Sequence, residues 1–513
     1  MRGNKKEKPV IKRLIYGRTL IVIVALLLQI ALLLSTWLSI LKSIPFVSGS
    51  IALFTAFMLV WVLNTRDNPT MKLSWCVLIA IAPLFGTVVY LFFKLDLGHR
   101  AVGRLVQRSI RESERFMSDS AVQLEKLRET DKQVYDLAKY LHSNGAPICN
   151  ARNVTYFPVG EKMFAQMLEE MEKAEKFIFL EYFAIAHSSM WEDILQILER
   201  KAKQGVEVRV LYDGSCAVSY FPHDYPKRLE EKGIRCKVFS PFHALVSTHY
   251  NNRDHRKITV IDGKTAFTGG VNILDRYINR KTVFGHWKDT AVMVRGDAAR
   301  EFTRLFLQMW NMTEKNAVYA PYLPGDAELA DRGFVIPFGD GPHSDARIGK
   351  MVYLNMLHQA KDYVYIMTPY LILDNEMITA LKFAGQRGVD VRLVLPHIPD
   401  KKYAFALAKS HYEELLSAGV EIYEYTPGFV HAKTFLCDDM QAVVGTINLD
   451  YRSLYLHYEC AAYLYDVPAL KDIYADFSDT FAASERITQD AAKKRGLFSR
   501  VSSFVLKIAA PLM

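Results

Sequence analysis

Three stretches near the amino terminus carry no charged residue: 19–41, 44–64 and 73–93, of 23, 21 and 21 residues. A hydrocarbon core of about 30 Å takes about 20 helical residues, so each stretch is long enough to cross a bilayer. The first exceeds the apolar core of about 7–15 residues found in a signal peptide, and two more follow it. The pattern therefore predicts a multi-pass membrane anchor over 1–98. The short join at 42–43, together with Pro45 and Pro83 in the later stretches, leaves two or three true spans. Beyond it, 99–150 is basic and then mixed in charge, with recurring Leu and no proline before Pro147, which reads as helix over 110–145.

The pattern then changes period. The run 177–183 (FIFLEYF) reads as a buried strand, 189–204 as a helix and 206–212 (VEVRVLY) as a second strand, which makes a parallel βαβ unit. The same succession returns as 363–367 (YVYIM), a helix over 376–386, and 389–395 (VDVRLVL). The joints correspond too, QGVEVRVL at 204–211 standing against RGVDVRLV at 387–394, an offset of 183 residues. A period that long is no solenoid; it predicts a two-lobed α/β domain born of an internal duplication, with lobes over 151–330 and 331–490.

Charge changes the picture of partners. The formal net charge is +9, but 1–18, 99–115 and 491–513 carry +6, +3 and +5, which leaves the rest of the chain at −5. A mildly acidic body is poor at tracking a nucleic acid backbone, so no nucleic acid partner is expected. The basic stretches flank apolar ones, as beside an anionic lipid bilayer. The terminal run 491–513 has the pattern of a basic amphipathic helix or of a domain-packing helix. The positive-inside rule places the catalytic part on the cytoplasmic side of the cell membrane, although three spans would put the first two basic clusters on opposite faces. Six scattered cysteines with no CxxC pair exclude a zinc ribbon or a disulfide framework.

Each lobe delivers the same short string: HRKITVID with His255, Lys257 and Asp262, and HAKTFLCD with His431, Lys433 and Asp438. Both fit HxKxxxxD, and the agreement continues downstream. Gly269 and Gly445 lie 14 residues after the histidine, Gly270 and Thr446 follow them, and Asn272 and Asn448 lie 17 after. The residue types suit attack on a phosphodiester. Imidazole, with an ordinary pKa of about 6.5, is a usable nucleophile at neutral pH, lysine supplies positive charge to phosphate oxygens, and asparagine adds a neutral donor. Two imidazoles with different tasks permit a ping-pong exchange. An attacking ring needs its other nitrogen held, and Asp289 (in HWKDT) and Glu459 (in HYEC) stand at suitable positions. Glu181 and Tyr370 end repeated strands and are looser pocket candidates. His243 and His249 read as loop histidines, with no carboxylate cluster to make a metal site, so no metal and no cofactor is expected.

On these motifs the chain resembles the phospholipase D superfamily, whose HKD pattern followed by GGxN or GTxN it shows twice. Within that superfamily it is similar to the bacterial cardiolipin synthases, from the connector RDNPTMKLSW at 66–75 to GVEVRVLYDG and VGTINLDYRS in the two lobes. The resemblance implies two phospholipase D-like lobes with mixed or parallel sheets and flanking helices. It makes His255, Lys257, Asp262, His431, Lys433 and Asp438 the catalytic motif residues, with the two aspartates supporting the site structurally. Asn272, Asn448, Gly270, Thr446, Asp289 and Glu459 then take phosphate-binding or supporting places, with His255 as nucleophile and His431 as acid and base. The implied reaction joins two phosphatidylglycerol molecules into cardiolipin and glycerol through a phosphohistidine. A phospholipase D-type hydrolase, another phosphatidyltransferase, a membrane-tethered nuclease and a non-catalytic lipid-binding scaffold are the alternatives. The sequence leaves the oligomeric state open.

Overall fold

Strands form where the β-branched and aromatic runs stand, and their ends fall where glycine releases the preceding helix. The computed structural model describes residues 45–65, 67–94, 97–222, 224–241, 252–325, 332–344 and 346–494, with a few positions beyond 502. In chain order the strands are β1 (Cys149–Asn150), β2 (Thr155–Phe157), β3 (Phe177–Tyr182), β4 (Glu207–Asp213), β5 (Ile234–Phe239), β6 (Lys257–Ile261), β7 (Thr265–Gly269), β8 (His286–Lys288) and β9 (Ala291–Arg295). The second half continues with β10 (Phe334–Asp340), β11 (Tyr363–Met367), β12 (Asp390–Pro396), β13 (Glu421–Tyr425), β14 (Gly428–Val430), β15 (Thr434–Cys437), β16 (Gln441–Gly445), β17 (Glu459–Tyr465) and β18 (Ser484–Arg486). The helices Ser189–Lys203 and Asn375–Gln386 both close through a glycine in the left-handed region, Gly205 (φ +91°) and Gly388 (φ +89°). That conformation costs glycine little and turns the chain into β4 and β12.

The two large sheets repeat one plan. The first runs β2-β9-β7-β6-β3-β4-β5 and the second β1-β10-β17-β16-β15-β11-β12-β13-β18. In each, a parallel trio (β3-β4-β5; β11-β12-β13) is extended by an antiparallel meander (β6-β7-β9; β15-β16-β17). The fold is thus α/β with mixed sheets, and the βαβ reading of both halves agrees with the parallel pairs β3–β4 and β11–β12. A two-stranded parallel pair, β14 beside β8, sets Phe429 against Trp287 and stitches one half to the other.

Strand alternation divides the core. On β6, Ile258 and Val260 face a central cluster with Phe179, Val292, Leu436, Val444 and Ala462, to which both halves contribute. The helix Asp297–Asn311 is buried along nearly its whole length and adds Phe302, Leu305, Phe306 and Trp310 to that cluster. The outer sheet faces are covered separately. Trp191 and Ile194 pack on the first, and Val352, Met356 and Leu381 on the second. Compactness divides the chain into two units: 1–101 with 242–250 and 505–513, and 102–241 with 251–504. Apart from 242–250, both halves of the duplication belong to the second unit.

The membrane expectation is corrected in the first unit. Among the described residues no helix is long and apolar enough to cross a membrane. The apolar stretch 73–93 is split at Ala82 and Pro83 into helices Pro69–Ile81 and Pro83–Lys94, of 13 and 12 residues. At 1.5 Å per residue these advance only about 20 and 18 Å. Helix Pro45–Leu63 has 19 residues, about 28 Å. This finding overturns the N-terminal transmembrane helices, the multi-pass reading and the cell-membrane placement built on it. The stretch 19–41 and most of 491–513 lie outside the described residues. The helix expected over 110–145 is instead three: Leu97–Glu114, Ala121–Thr130 and Lys132–Ser143. Asp131, whose side chain accepts from the amides of Gln133 and Val134, restarts the third.

Candidate active site

Both motif lysines stand where an antiparallel strand begins beside the carboxyl end of a parallel one, the edge at which open α/β sheets place their ligands. Lys257 opens β6 opposite Tyr182 at the end of β3, and Lys433 immediately precedes Thr434, which faces Met367 at the end of β11. Each histidine two residues earlier is fixed by its backbone to the other half of the duplication. The His255 amide donates to the Tyr458 carbonyl at 2.9 Å, and the His431 amide to the Lys288 carbonyl at 2.7 Å. The rings are more than nine-tenths buried.

The orienting acids cross over. His431 Nδ1 lies 2.7 Å from Asp289 Oδ2, and His255 Nδ1 lies 2.9 Å from both carboxylate oxygens of Glu459. Each half thus lends its acid to the histidine of the other. Both acids are fully buried. Thr446 Oγ1 donates to Glu459, and the Thr290 amide donates to Asp289 Oδ1 at 3.0 Å. Nδ1–H donation to the acid leaves Nε2 of each ring with its lone pair free for chemistry.

Burial sets the charges. Desolvation, joined by the ammonium groups of Lys257 and Lys433, holds both imidazoles well below their usual pKa and therefore neutral. Burial also pulls Lys257 down to about 8 and Lys433 to about 7. It pushes Asp289 up to about 7 and raises Glu459. Lys257 Nζ donates to the His255 carbonyl at 2.6 Å, and Lys433 Nζ to that of His431. The arrangement is two neutral rings beside two lysines that an arriving anion would hold protonated, a set of groups chemically suited to a phosphodiester.

The remaining predicted residues sort by place. Asp262 and Asp438 sit at the far ends of β6 and β15 in the left-handed region (φ +54° and +49°) and reach no histidine. Asp262 accepts from the amides of Glu175, Lys176 and Phe177, each at 2.8 Å. Asp438 does the same for Lys361, Asp362 and Tyr363 at 2.8, 3.0 and 2.8 Å. Asn272 Oδ1 accepts from the Ala184 amide and its Nδ2 donates to the Tyr277 hydroxyl, while Asn448 is buried with no partner for Oδ1. Gly270 lets the backbone pass against Asp289. Glu181 is buried beside Asp254, and Tyr370 donates to Asp400. His243 and His249 lie outside the described residues.

Sequence reasoning missed the ring partners of the histidines. Phe183 and His457 flank His255, and Tyr277 and Trp287 flank His431. The signal available was that Trp287 and His457 both stand two residues before the orienting acid. Among the described residues, His255, His457 and Glu459 have donor atoms within 4.8 Å of one another and form the one cluster able to hold a metal ion. A cavity of about 320 Å³ elsewhere in the unit, against Arg256, Arg304, Asp340 and Tyr458, receives none of the motif side chains.

A family model described as "Cardiolipin synthase, PLD-like domain" matches residues 167–310 and 353–481, and a phospholipase D-nuclease N-terminal model matches 53–94. An uncharacterized protein of Streptococcus mutans is 50% identical over 88% of this chain and 99% of its own. The cardiolipin synthase of Alkalihalophilus pseudofirmus is 34% identical over 87% of this chain and 90% of its own. Among solved structures, the phosphatidylserine synthase of Haemophilus influenzae superposes with a TM-score of 0.56 at 15% identity, over 73% of this chain and 97% of that one, a likeness of fold.

Proposed function

Since the chain belongs to the cardiolipin synthase family of phospholipase D-like proteins, we propose that its site transfers a phosphatidyl group from one phosphatidylglycerol to another. The observation that carries this reading is the crossed pairing of His255 with Glu459 and of His431 with Asp289. It supplies two imidazoles held in one tautomer, beside Lys257 and Lys433. His255 Nε2 attacks phosphorus. The bond from phosphorus to the glycerol oxygen breaks, and that oxygen takes a proton from His431, which is neutral in the empty site and takes up a proton as the phosphodiester anion binds. The phosphatidyl group now sits on His255. A terminal hydroxyl of the second phosphatidylglycerol gives its proton to His431 and attacks phosphorus, and the N–P bond breaks to release cardiolipin. One phosphodiester forms for each one lost, so the exchange needs no energy donor. Lys257 and Lys433 neutralise the phosphoryl oxygens throughout, and Glu459 and Asp289 stabilise whichever ring carries positive charge.

The test is the purified full chain in mixed micelles of phosphatidylglycerol, with products separated. Cardiolipin and glycerol in equal amounts are expected, and both are lost in His255→Ala and in His431→Ala. Phosphatidic acid as the main product would make the protein a hydrolase, and undiminished cardiolipin in either variant would contradict the two-histidine scheme.

A further inference from the structure

The two halves flank their histidines alike. Trp287 stands 5.4 Å from His431, ring centre to ring centre, at 41°, and His457 stands 5.4 Å from His255 at 42°. Each ring lies two residues before the acid that orients the histidine it flanks, Trp287 before Asp289 and His457 before Glu459. Neither the indole Nε1 nor either imidazole nitrogen makes a hydrogen bond of full geometry, although all three atoms are buried and each ring stands close enough to its acid to influence it. His457 Nδ1 is 3.7 Å from Glu459 Oε1, just beyond hydrogen-bond reach. Buried ring N–H groups left unpaired are costly, and such a group is kept where a partner reaches it in another state of the site.

We propose that Trp287 and His457 are matched positioning residues, each a ring N–H poised over the acid that holds a catalytic histidine and closing on that acid when the site is loaded. The inference rests on the two-histidine reading above. As His255 takes the phosphatidyl group its ring becomes cationic, Glu459 must carry full negative charge, and the His457 N–H then supplies that carboxylate with a further donor. His457 is itself pushed down to about 4 by burial, so it serves as a neutral donor at ordinary pH. Both acids are raised by burial, and the neighbouring ring is among the groups that lower each. The other titratable or charged groups that face Glu459 are His255, Lys257, Lys433, Asp340 and Tyr353.

The test is the pH profile of kcat, which reports the loaded site, for His457→Phe and Trp287→Phe, which keep a ring but remove the N–H. A hydrogen bond to the charged acid corresponds to about one to two pH units. The acid limb is expected to move upward by that amount in both variants and to return in His457→Gln, which restores a donor. A wild-type profile in either Phe variant, or an equal shift in His457→Gln, overturns the proposal. Should a variant fail to fold, the ¹⁵N-histidine spectrum of the unaltered protein decides. The His457 Nδ1–H signal moves downfield on adding tungstate, a tetrahedral oxyanion; no movement counts against the pairing. Running the profiles on an aryl phosphodiester as well separates this inference from the substrate assignment. A shift there without cardiolipin from phosphatidylglycerol would fail the latter alone.

Discussion

Replacing Asp262 by asparagine tests whether a motif aspartate works in chemistry or in architecture. Its carboxylate meets three consecutive amides at the head of β3. Oδ1 accepts from Lys176 and Phe177, and Oδ2 from Glu175, all at 2.8 Å. An asparagine whose Oδ1 stays in place keeps two of these bonds as neutral ones and turns an NH2 group toward the Glu175 amide, donor against donor. Hydrogen bonds to a charged group contribute about 1.5–3 kcal/mol and neutral ones about 0.5–1.5 kcal/mol. Two bonds weakened by about 1 kcal/mol each, with one lost at about 2 kcal/mol, give roughly 4 kcal/mol. The backbone adds little, because asparagine tolerates the left-handed φ of +54° at this turn. A loss of that size is a large share of the roughly 5–15 kcal/mol by which domains are stable. Urea unfolding of the full chain should show the loss, while kcat per folded molecule stays within a few-fold of wild type. Unchanged stability with kcat reduced by about 10³ would refute the reasoning, since it would put the carboxylate in the reaction.

Three further outcomes follow from the site. Glu459→Gln and Asp289→Asn let the buried ring settle in the wrong tautomer and should each cut kcat by about 10³–10⁴, with the fold intact by circular dichroism; a loss under tenfold in either would contradict the crossed pairing. In Gly270→Ala the new Cβ would stand 1.9 Å from Asp289 Oδ1 and 2.9 Å from the His431 carbonyl. Displacing that acid by about 1 Å should cost about 10² in kcat/KM, read by initial rates. The pH profile of kcat/KM should rise through about 7 as Asp289 ionises and fall from about 7 to 8 as Lys433 and then Lys257 lose their protons, giving a narrow optimum. The kcat profile should extend further into base, because a bound phosphodiester anion favours the ammonium form; a basic limb equal in both would contradict the lysines' role.

Much of the fold was legible because its signals are local. The runs 177–183 and 363–367 and the glycines at 205 and 388 announce strands and helix ends within a few residues, and two copies of one string announce the duplication. The crossing of the acids was not legible, because Glu459 lies 204 residues from His255 and Asp289 lies 142 from His431. Only the packing of the two halves brings them together. The aspartates of the motif share a regular spacing with the lysines, yet a five-residue strand separates Asp262 from the site. The amino-terminal region was misread although Pro83 stood out in the sequence, since a run of uncharged residues does not show that the chain breaks there into two short helices.

The scheme makes His255 the carrier of the phosphatidyl group and His431 the mover of protons, and trapping the covalent intermediate decides it. Phosphatidylglycerol labelled with ³²P in the phosphate, mixed briefly with the protein and quenched in base to preserve phosphoramidates, should label residue 255 in wild type. The label should vanish in His255→Ala. Label on residue 431 instead, or turnover with no label on either histidine, would contradict the account.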